Sequence, residues 1–270
     1  MIQQVLTTQE QRDLDKFYTR PEIAQSCINF LFKLDLFNPS EVIYLEPSAG
    51  LGAFFDKMTY PKVGLDISTS RNDIMRLDFL NWEPKGFTKP VITIGNPPFG
   101  KNSSLAKKFF NHAAEFSNII AFIVPKTFQK ASLQNQLSLE FHLAGEFDIP
   151  FDSFEFDGAS YSVPVVFQVW QKQVTPREIR KLPLTHPDFD FVNNELADFA
   201  FQRVGARAGM ISIEGLHKSP NSHYFLKANR CRQDLMLLLK SIDWLPIKTR
   251  TAGNPSIAKS ELIAAYSQIA

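Results

Sequence analysis

Five short apolar-rich runs, each cut off by a carboxylate, a glycine or a proline, constrain this chain more than any other feature. Residues 42–45 stop at Glu46 and Pro47, residues 63–65 at Asp66, and residues 74–77 at Asp78. Residues 91–94 stop at Gly95, and residues 119–124 at Pro125. Runs this short and this apolar suit strands buried on both faces of a sheet. Between them lie helix-length stretches. Pro21 opens one with Ile23, Cys27, Phe30, Leu31 and Leu34 at helical spacing, and residues 104–116 and 132–141 supply two more. Strands alternating with helices predict a mostly parallel, doubly wound α/β sheet. Two further runs, 145–149 and 163–170, have no helix between them and predict an antiparallel hairpin at the sheet edge, giving seven strands.

With 270 residues, the chain has room for one substantial α/β domain and a smaller appendage. The expected division is a domain over residues 1–172, a linker over 173–190 containing Pro176, Pro183 and Pro187, and a small C-terminal region over 191–270. Charge follows the same division. Residues 1–170 carry 15 Lys and Arg against 19 Asp and Glu, whereas the remainder carries 14 against 9. A basic C-terminal third on an acidic core is what a phosphate-contacting module would look like, although a solvated surface of uneven charge gives the same count. Two cysteines make no disulfide framework, no metal-ligand spacing is visible, and no apolar run approaches membrane-spanning length. A cytoplasmic protein with no metal and no membrane partner is expected. The 25 phenylalanines imply a well-filled core, with some rings left for stacking.

Open α/β sheets bind ligands at the C-terminal ends of their strands. The first strand runs into Glu46-Pro47-Ser48-Ala49-Gly50-Leu51-Gly52. Gly50 and Gly52 let the backbone approach a ligand, and a helix is expected to follow with its N-terminus toward it. Glu46 would repel a pyrophosphate but could hold the ammonium of an amino acid. Asp66, beside Ile67, could accept two ribose hydroxyls. Asp78 could take an adenine amine, with Phe79 stacking on its ring. Ammonium, ribose and adenine together describe S-adenosylmethionine.

Asn96-Pro97-Pro98-Phe99 follows the fourth strand directly. Its prolines stiffen the backbone and remove two N–H donors, so the loop presents oxygens. An amine conjugated to an aromatic ring is a poor nucleophile. The Asn96 side-chain oxygen and the Pro97 carbonyl could each accept one amine hydrogen, pyramidalising the nitrogen and aiming its lone pair at a methyl donor. Phe99 could stack on the base. Residues 95–101 also approach a phosphate-binding P-loop, but Asn102 stands where Ser or Thr is needed, and the prolines remove the N–H groups that would cradle phosphate.

Taken in order, residues 15–21, Glu46 to Gly52, Asp66, Asp78-Phe79 and Asn96 to Phe99 resemble the motifs of S-adenosylmethionine-dependent amino-methyltransferases. The closest resemblance is to N6-adenine DNA methyltransferases with an N-terminal cofactor motif. It covers about residues 15–170 and implies a Rossmann-like class I methyltransferase fold. It also implies that Tyr18, Thr19, Glu46, Gly50, Asp66, Asp78 and Phe79 line the cofactor site, while Asn96 to Phe99 hold the target amine. The family commonly carries Phe-Thr-Pro or Tyr-Thr-Pro; here Arg20 interrupts that signature between Thr19 and Pro21. The segment 151–161 resembles the family's base-pocket loop by position, so Phe154 and Tyr161 are candidate stacking rings. Lys101 follows the catalytic loop as a candidate phosphate contact. In the C-terminal region, Arg203 and Arg207 among glycines, with His223 and Tyr224, are the candidate substrate contacts.

DNA is the favoured partner, with RNA as the alternative target through adenine N6 or guanine N2. Methylation of a protein glutamine, or a non-catalytic nucleic-acid-binding subunit, are the further alternatives. A hundred C-terminal residues are few for sequence recognition. A short target, relaxed specificity, a homodimer or a partner recognition subunit is therefore expected.

Overall fold

The computed structural model describes residues 17–270 except 60 and 157. Asp15 and Lys16 of the N-terminal motif, and the polar stretch 1–14, lie outside the described residues. The chain forms two compact units. One runs up to Phe128 and includes Leu133–Ile179; the other comprises Gln129–Ser132 and Arg180–Ala270.

The first unit is built on a seven-stranded sheet. Its strands are β2 (Ile43–Glu46), β3 (Lys62–Asp66), β4 (Met75–Arg76), β5 (Val91–Gly95), β6 (Ile119–Pro125), β7 (Phe141–Asp148) and β10 (Val165–Lys172), in the order β4-β3-β2-β5-β6-β10-β7. The first five are parallel, and β10 runs antiparallel to both β6 and β7. This is the Rossmann-like sheet with an antiparallel edge pair that the apolar runs predict. Chain direction across the sheet reverses between β2 and β5, which places the topological switch point beside Glu46 and Gly95.

Alternation along β6 shows why the run must be wholly apolar. Ile119, Ala121 and Ile123 enter the core on one face, and Ile120, Phe122 and Val124 the core on the other. Helix α1 (Pro21–Lys33) covers the first face with Ala24, Cys27, Ile28 and Leu31. Helix α2 (Ser104–Ala114) covers the second with Ala106, Phe109, Phe110 and Ala113. Each fully buried Phe or Ile contributes about 1.5–3 kcal/mol of transfer free energy. The polar Thr93 tolerates full burial because its hydroxyl meets that of Ser117 at 2.6 Å.

One expected helix is absent and another is cut to a single turn. After the glycine loop, residues 47–59 make turns and one 3-10 turn, Phe55–Lys57. Gly50 and Gly52, both at positive φ, break the helix where it would begin, and Pro61 bars it from continuing. Residues 132–141 hold only the end of α3 (Ala131–Gln134) and turns over 135–140 before β7 begins at Phe141. The edge pair is also not a simple hairpin. Between β7 and β10 the chain inserts β8 (Phe154–Phe156) and β9 (Ala159–Tyr161), which join β1 (Tyr18–Thr19) in a separate three-stranded antiparallel sheet.

The second unit, unassigned by periodicity, holds a four-stranded antiparallel sheet. Its strands are β11 (Phe189–Val192), β12 (Phe199–Gln202), β13 (Ile211–Ser212) and β14 (His223–Ala228), in the order β11-β14-β12-β13. Helices α4 (Arg232–Ser241), α5 (Leu245–Lys248) and α6 (Lys259–Tyr266) belong to the same unit. Phe189, Phe199, Phe201, Leu226, Leu235, Trp244, Ile263 and Tyr266 form its core.

Candidate active site

A cavity of about 580 Å³ opens at the switch point of the first unit. Its walls include Tyr18, Thr19, Glu46, Pro47, Ser48, Gly50, Gly52, Asp66, Ile67, Asp78, Phe79 and Asn96, together with Pro98. The strand ends and the N-terminal motif thus converge on one space, although they are spread over some eighty residues of sequence.

Glu46 ends β2 and is 2% exposed. Burial pushes its carboxyl well above the usual glutamate range; Asp66 and Asp56 push the same way, against the Phe55 backbone N–H and Arg71. Its Oε2 finds no hydrogen-bond partner among the described residues. Close packing holds it there, since a Cβ on Gly95 would lie 3.2 Å from Glu46 Cγ. A buried carboxylate oxygen with an unused acceptor site suits an incoming cation.

The glycine loop is held from two sides. Gly50 (φ +52°) donates its N–H to Asp66 Oδ2 at 2.8 Å, and the Tyr18 ring lies so close that a Cβ would sit 3.1 Å from it. The other Asp66 oxygen accepts the Ser68 N–H at 2.8 Å. Asp66 therefore braces the loop as well as facing the cavity. On the far side, Arg71 donates to Leu51 O at 3.0 Å and grips Asp56 at 2.6 and 2.8 Å and Asp73 at 2.7 and 2.9 Å. Nothing in the sequence marks Arg71, because its contacts reach back across the loop to residues 51 and 56.

At the opposite end, both Asp78 oxygens are engaged in its own turn, accepting from Leu80 N at 3.0 Å and Asn81 Nδ2 at 2.8 Å. Phe79 lines the cavity but is only 1% exposed, wedged among Phe109, His112 and Phe116. It is a wall rather than the open stacking platform expected. Leu80, Leu105 and Phe109 extend the apolar lining there.

Asn96 follows β5 and donates its Nδ2 to the Phe17 carbonyl at 3.3 Å. Its Oδ1 is buried and has no partner among the described residues. The hydrogen-bond pattern therefore orients the amide with its acceptor unused. Pro97 is buried. Phe99 corrects an expectation: at 8% exposure it belongs to the core, and its carbonyl accepts the Leu105 and Ala106 N–H groups, tying the loop to α2. The following residues turn sharply, with positive φ at Gly100, Asn102 and Ser103, a strain typical of functional loops. Lys101 sits exposed on that turn.

Phe154 is likewise core, at 1% exposure, and not a stacking ring. Tyr161 is 38% exposed and stacks on Phe17 with centroids 4.1 Å apart and planes 4° from parallel. Phe17 thus joins the open ring to the amide of Asn96, a link the sequence does not reveal.

In the second unit, Tyr224 lies under Arg203, whose Cζ is 4.9 Å from the ring centroid, and its hydroxyl donates to Ile257 O at 3.2 Å. His223 pairs with Ser222 Oγ at 2.9 Å, and burial lowers its pKa below the usual imidazole range. Arg207 is exposed, on a turn with positive φ at Gly205 and Gly209. Among the described residues, no cluster of three His, Cys, Asp or Glu side chains could hold a metal ion, and no helix is long and apolar enough to cross a membrane.

No family model and no curated protein sequence matches this chain. Among solved structures, it is similar to a Pyrococcus horikoshii protein provisionally described as an RNA methyltransferase, at 12% identity and a TM-score of 0.49, over 64% of this chain and 92% of that one. A class I S-adenosylmethionine-dependent methyltransferase, so described provisionally, from Listeria monocytogenes aligns at 14% identity and TM-score 0.44, over 60% of this chain and 63% of that one. A Streptococcus thermophilus protein provisionally called a hemolysin aligns at 11% identity and TM-score 0.41, over 60% and 69%. At these values the likenesses assign no function, which rests on the site itself.

Proposed function

We propose that this chain is an S-adenosylmethionine-dependent methyltransferase acting on the exocyclic N6 amine of adenine in DNA. One observation carries the reading. Two buried oxygens, Glu46 Oε2 and Asn96 Oδ1, have no partner among the described residues, and both residues line one cavity at the sheet's switch point. An unused carboxylate oxygen calls for a cation, and an unused amide oxygen calls for an N–H donor. The amino-acid ammonium of the cofactor and the amine of the substrate meet these two demands.

S-adenosylmethionine supplies an electrophilic methyl group on a sulfonium that departs as a neutral thioether. Glu46 would hold the ammonium, and Asp66, which lines the same cavity, would face the ribose hydroxyls. Phe79, Leu80 and Phe109 form an apolar wall suited to the adenine. Asn96 Oδ1 accepts one hydrogen of the substrate amine, which withdraws the nitrogen lone pair from the ring and directs it toward the methyl group. Asn96 is no strong base, so the surplus amine proton passes to solvent after transfer. The gain is positioning and electrostatics in a largely dry pocket. Tyr161 offers its exposed face to a base that has left the helix. Arg207 and the basic surplus of the second unit supply phosphate contacts.

Methyl transfer from labelled S-adenosylmethionine, assayed in parallel on duplex DNA, RNA and bulk protein, tests this reading. Label in DNA is expected. Label confined to RNA would move the substrate to the alternative nucleic acid, and label in protein glutamine would overturn nucleic acid as the target.

A further inference from the structure

The residue that interrupts the N-terminal signature also lines the cavity. Arg20 forms the junction between β1 and α1: its backbone N–H donates to Ser153 O at 3.1 Å, and its carbonyl accepts the Ile23 and Ala24 N–H groups at 3.0 and 3.1 Å. These bonds fix where its side chain starts. Its Nε is buried without a hydrogen-bond partner among the described residues. Its ion pair with Glu155 Oε1 spans 3.8 Å to a side chain that is 57% exposed, and Asp152, fully exposed, adds only an electrostatic attraction. The pair is too long for a hydrogen bond and too wet to be strong. A buried guanidinium N–H left unpaired beside a cavity is costly unless a ligand pairs it.

We infer that Arg20 is a cofactor-binding residue that holds the α-carboxylate of S-adenosylmethionine, complementing the ammonium held by Glu46. The inference rests on the cofactor reading above. An amino-acid head group carries opposite charges on one carbon, and the cavity offers one unsatisfied buried carboxylate oxygen and one unsatisfied buried guanidinium N–H. A guanidinium fork matches a carboxylate in shape as well as charge. The thirteen-residue helix α1 starts at Pro21, which also lines the cavity, so its N-terminal partial positive charge favours an anion in the same place. Lys57 is the other positively charged side chain that lines the cavity and serves as the control.

Calorimetric binding of two ligands separates the possibilities: S-adenosylmethionine, and its decarboxylated analogue, which keeps the amine, sulfonium and nucleoside. Arg20→Gln should weaken S-adenosylmethionine about tenfold or more while leaving the analogue's affinity within about twofold of wild type. Lys57→Gln should not produce that selectivity. Equal weakening of both ligands by Arg20→Gln, no weakening of either, or carboxylate-selective loss in Lys57→Gln alone would overturn the assignment of Arg20. Wild-type protein that binds neither ligand would instead overturn the cofactor reading beneath it. Thermal unfolding of each variant, expected to match wild type closely, shows that the comparison is between folded proteins.

Discussion

Glu46 sets a pH dependence with a definite sign. Its folded-state pKa is raised by burial above the ordinary glutamate value of 4.5. Its contribution to stability is thus fully present below that value and is lost as pH rises through the raised one. Glu46→Gln should therefore stabilise the ligand-free protein, with a gain that grows from about pH 4.5 upward and is read by thermal unfolding across pH. In the wild type, S-adenosylmethionine affinity is expected to rise with pH as Glu46 ionises, and the same substitution should abolish that rise. A variant no more stable than wild type at pH 8 would mean that the carboxyl is not strained in the empty site. Asn96→Ala removes the unpaired amide oxygen and should lower kcat about 10²–10³-fold with cofactor affinity within a few-fold of wild type. Glu46 and Asn96 were legible in the sequence because a carboxylate or amide at the end of a buried strand has few purely structural uses. Phe79, Phe99 and Phe154 were not, because the same ring serves core and stacking platform alike, and only burial tells them apart.

At the scale of elements, the glycine loop is secured without the helix expected after it. Arg71 takes over by bridging Asp56, Asp73 and the Leu51 carbonyl. Gly52 makes room for it: its φ is +92°, and a Cβ there would meet Arg71 Nη1 at 2.2 Å. Gly52→Ala should then destabilise the unit by about 1–3 kcal/mol and weaken cofactor binding, measured by denaturant unfolding and calorimetry together. Arg71→Ala leaves Asp56 and Asp73 facing each other and should raise the cofactor KM several-fold with little change in kcat; an equal fall in kcat would place Arg71 in the chemistry. Strand positions were readable from apolar runs bounded by breakers. Loop anchoring was not, because the partners of Arg71 lie up to twenty residues back along the chain. Residues 132–141 misled for a related reason. The apolar residues Leu133, Leu137 and Phe141 fit helical spacing, but only 131–134 are helical; 135–140 are turns that lead into β7 at Phe141.

Over the whole molecule, charge divides the chain into an acidic first part and a basic remainder, and the basic surplus belongs to a unit whose fold no periodicity announced. Its strands are short, two to six residues, and they alternate with turns too irregular to fix a register from sequence. If that unit contacts phosphates, nucleic-acid binding should weaken as salt rises. Arg207→Ala should then lower the slope of log affinity against log salt by about 1 without altering cofactor binding. An unchanged slope would remove Arg207 from the interface. The central claim is that one cavity presents an amine-accepting oxygen to a methyl donor. Mass spectrometry of nucleosides, released from duplex DNA after incubation with the protein and methyl-labelled S-adenosylmethionine, tests it most directly. The account predicts label in N6-methyladenine with the wild type and almost none with Asn96→Ala; label in a different nucleoside, or undiminished label with the variant, would contradict it.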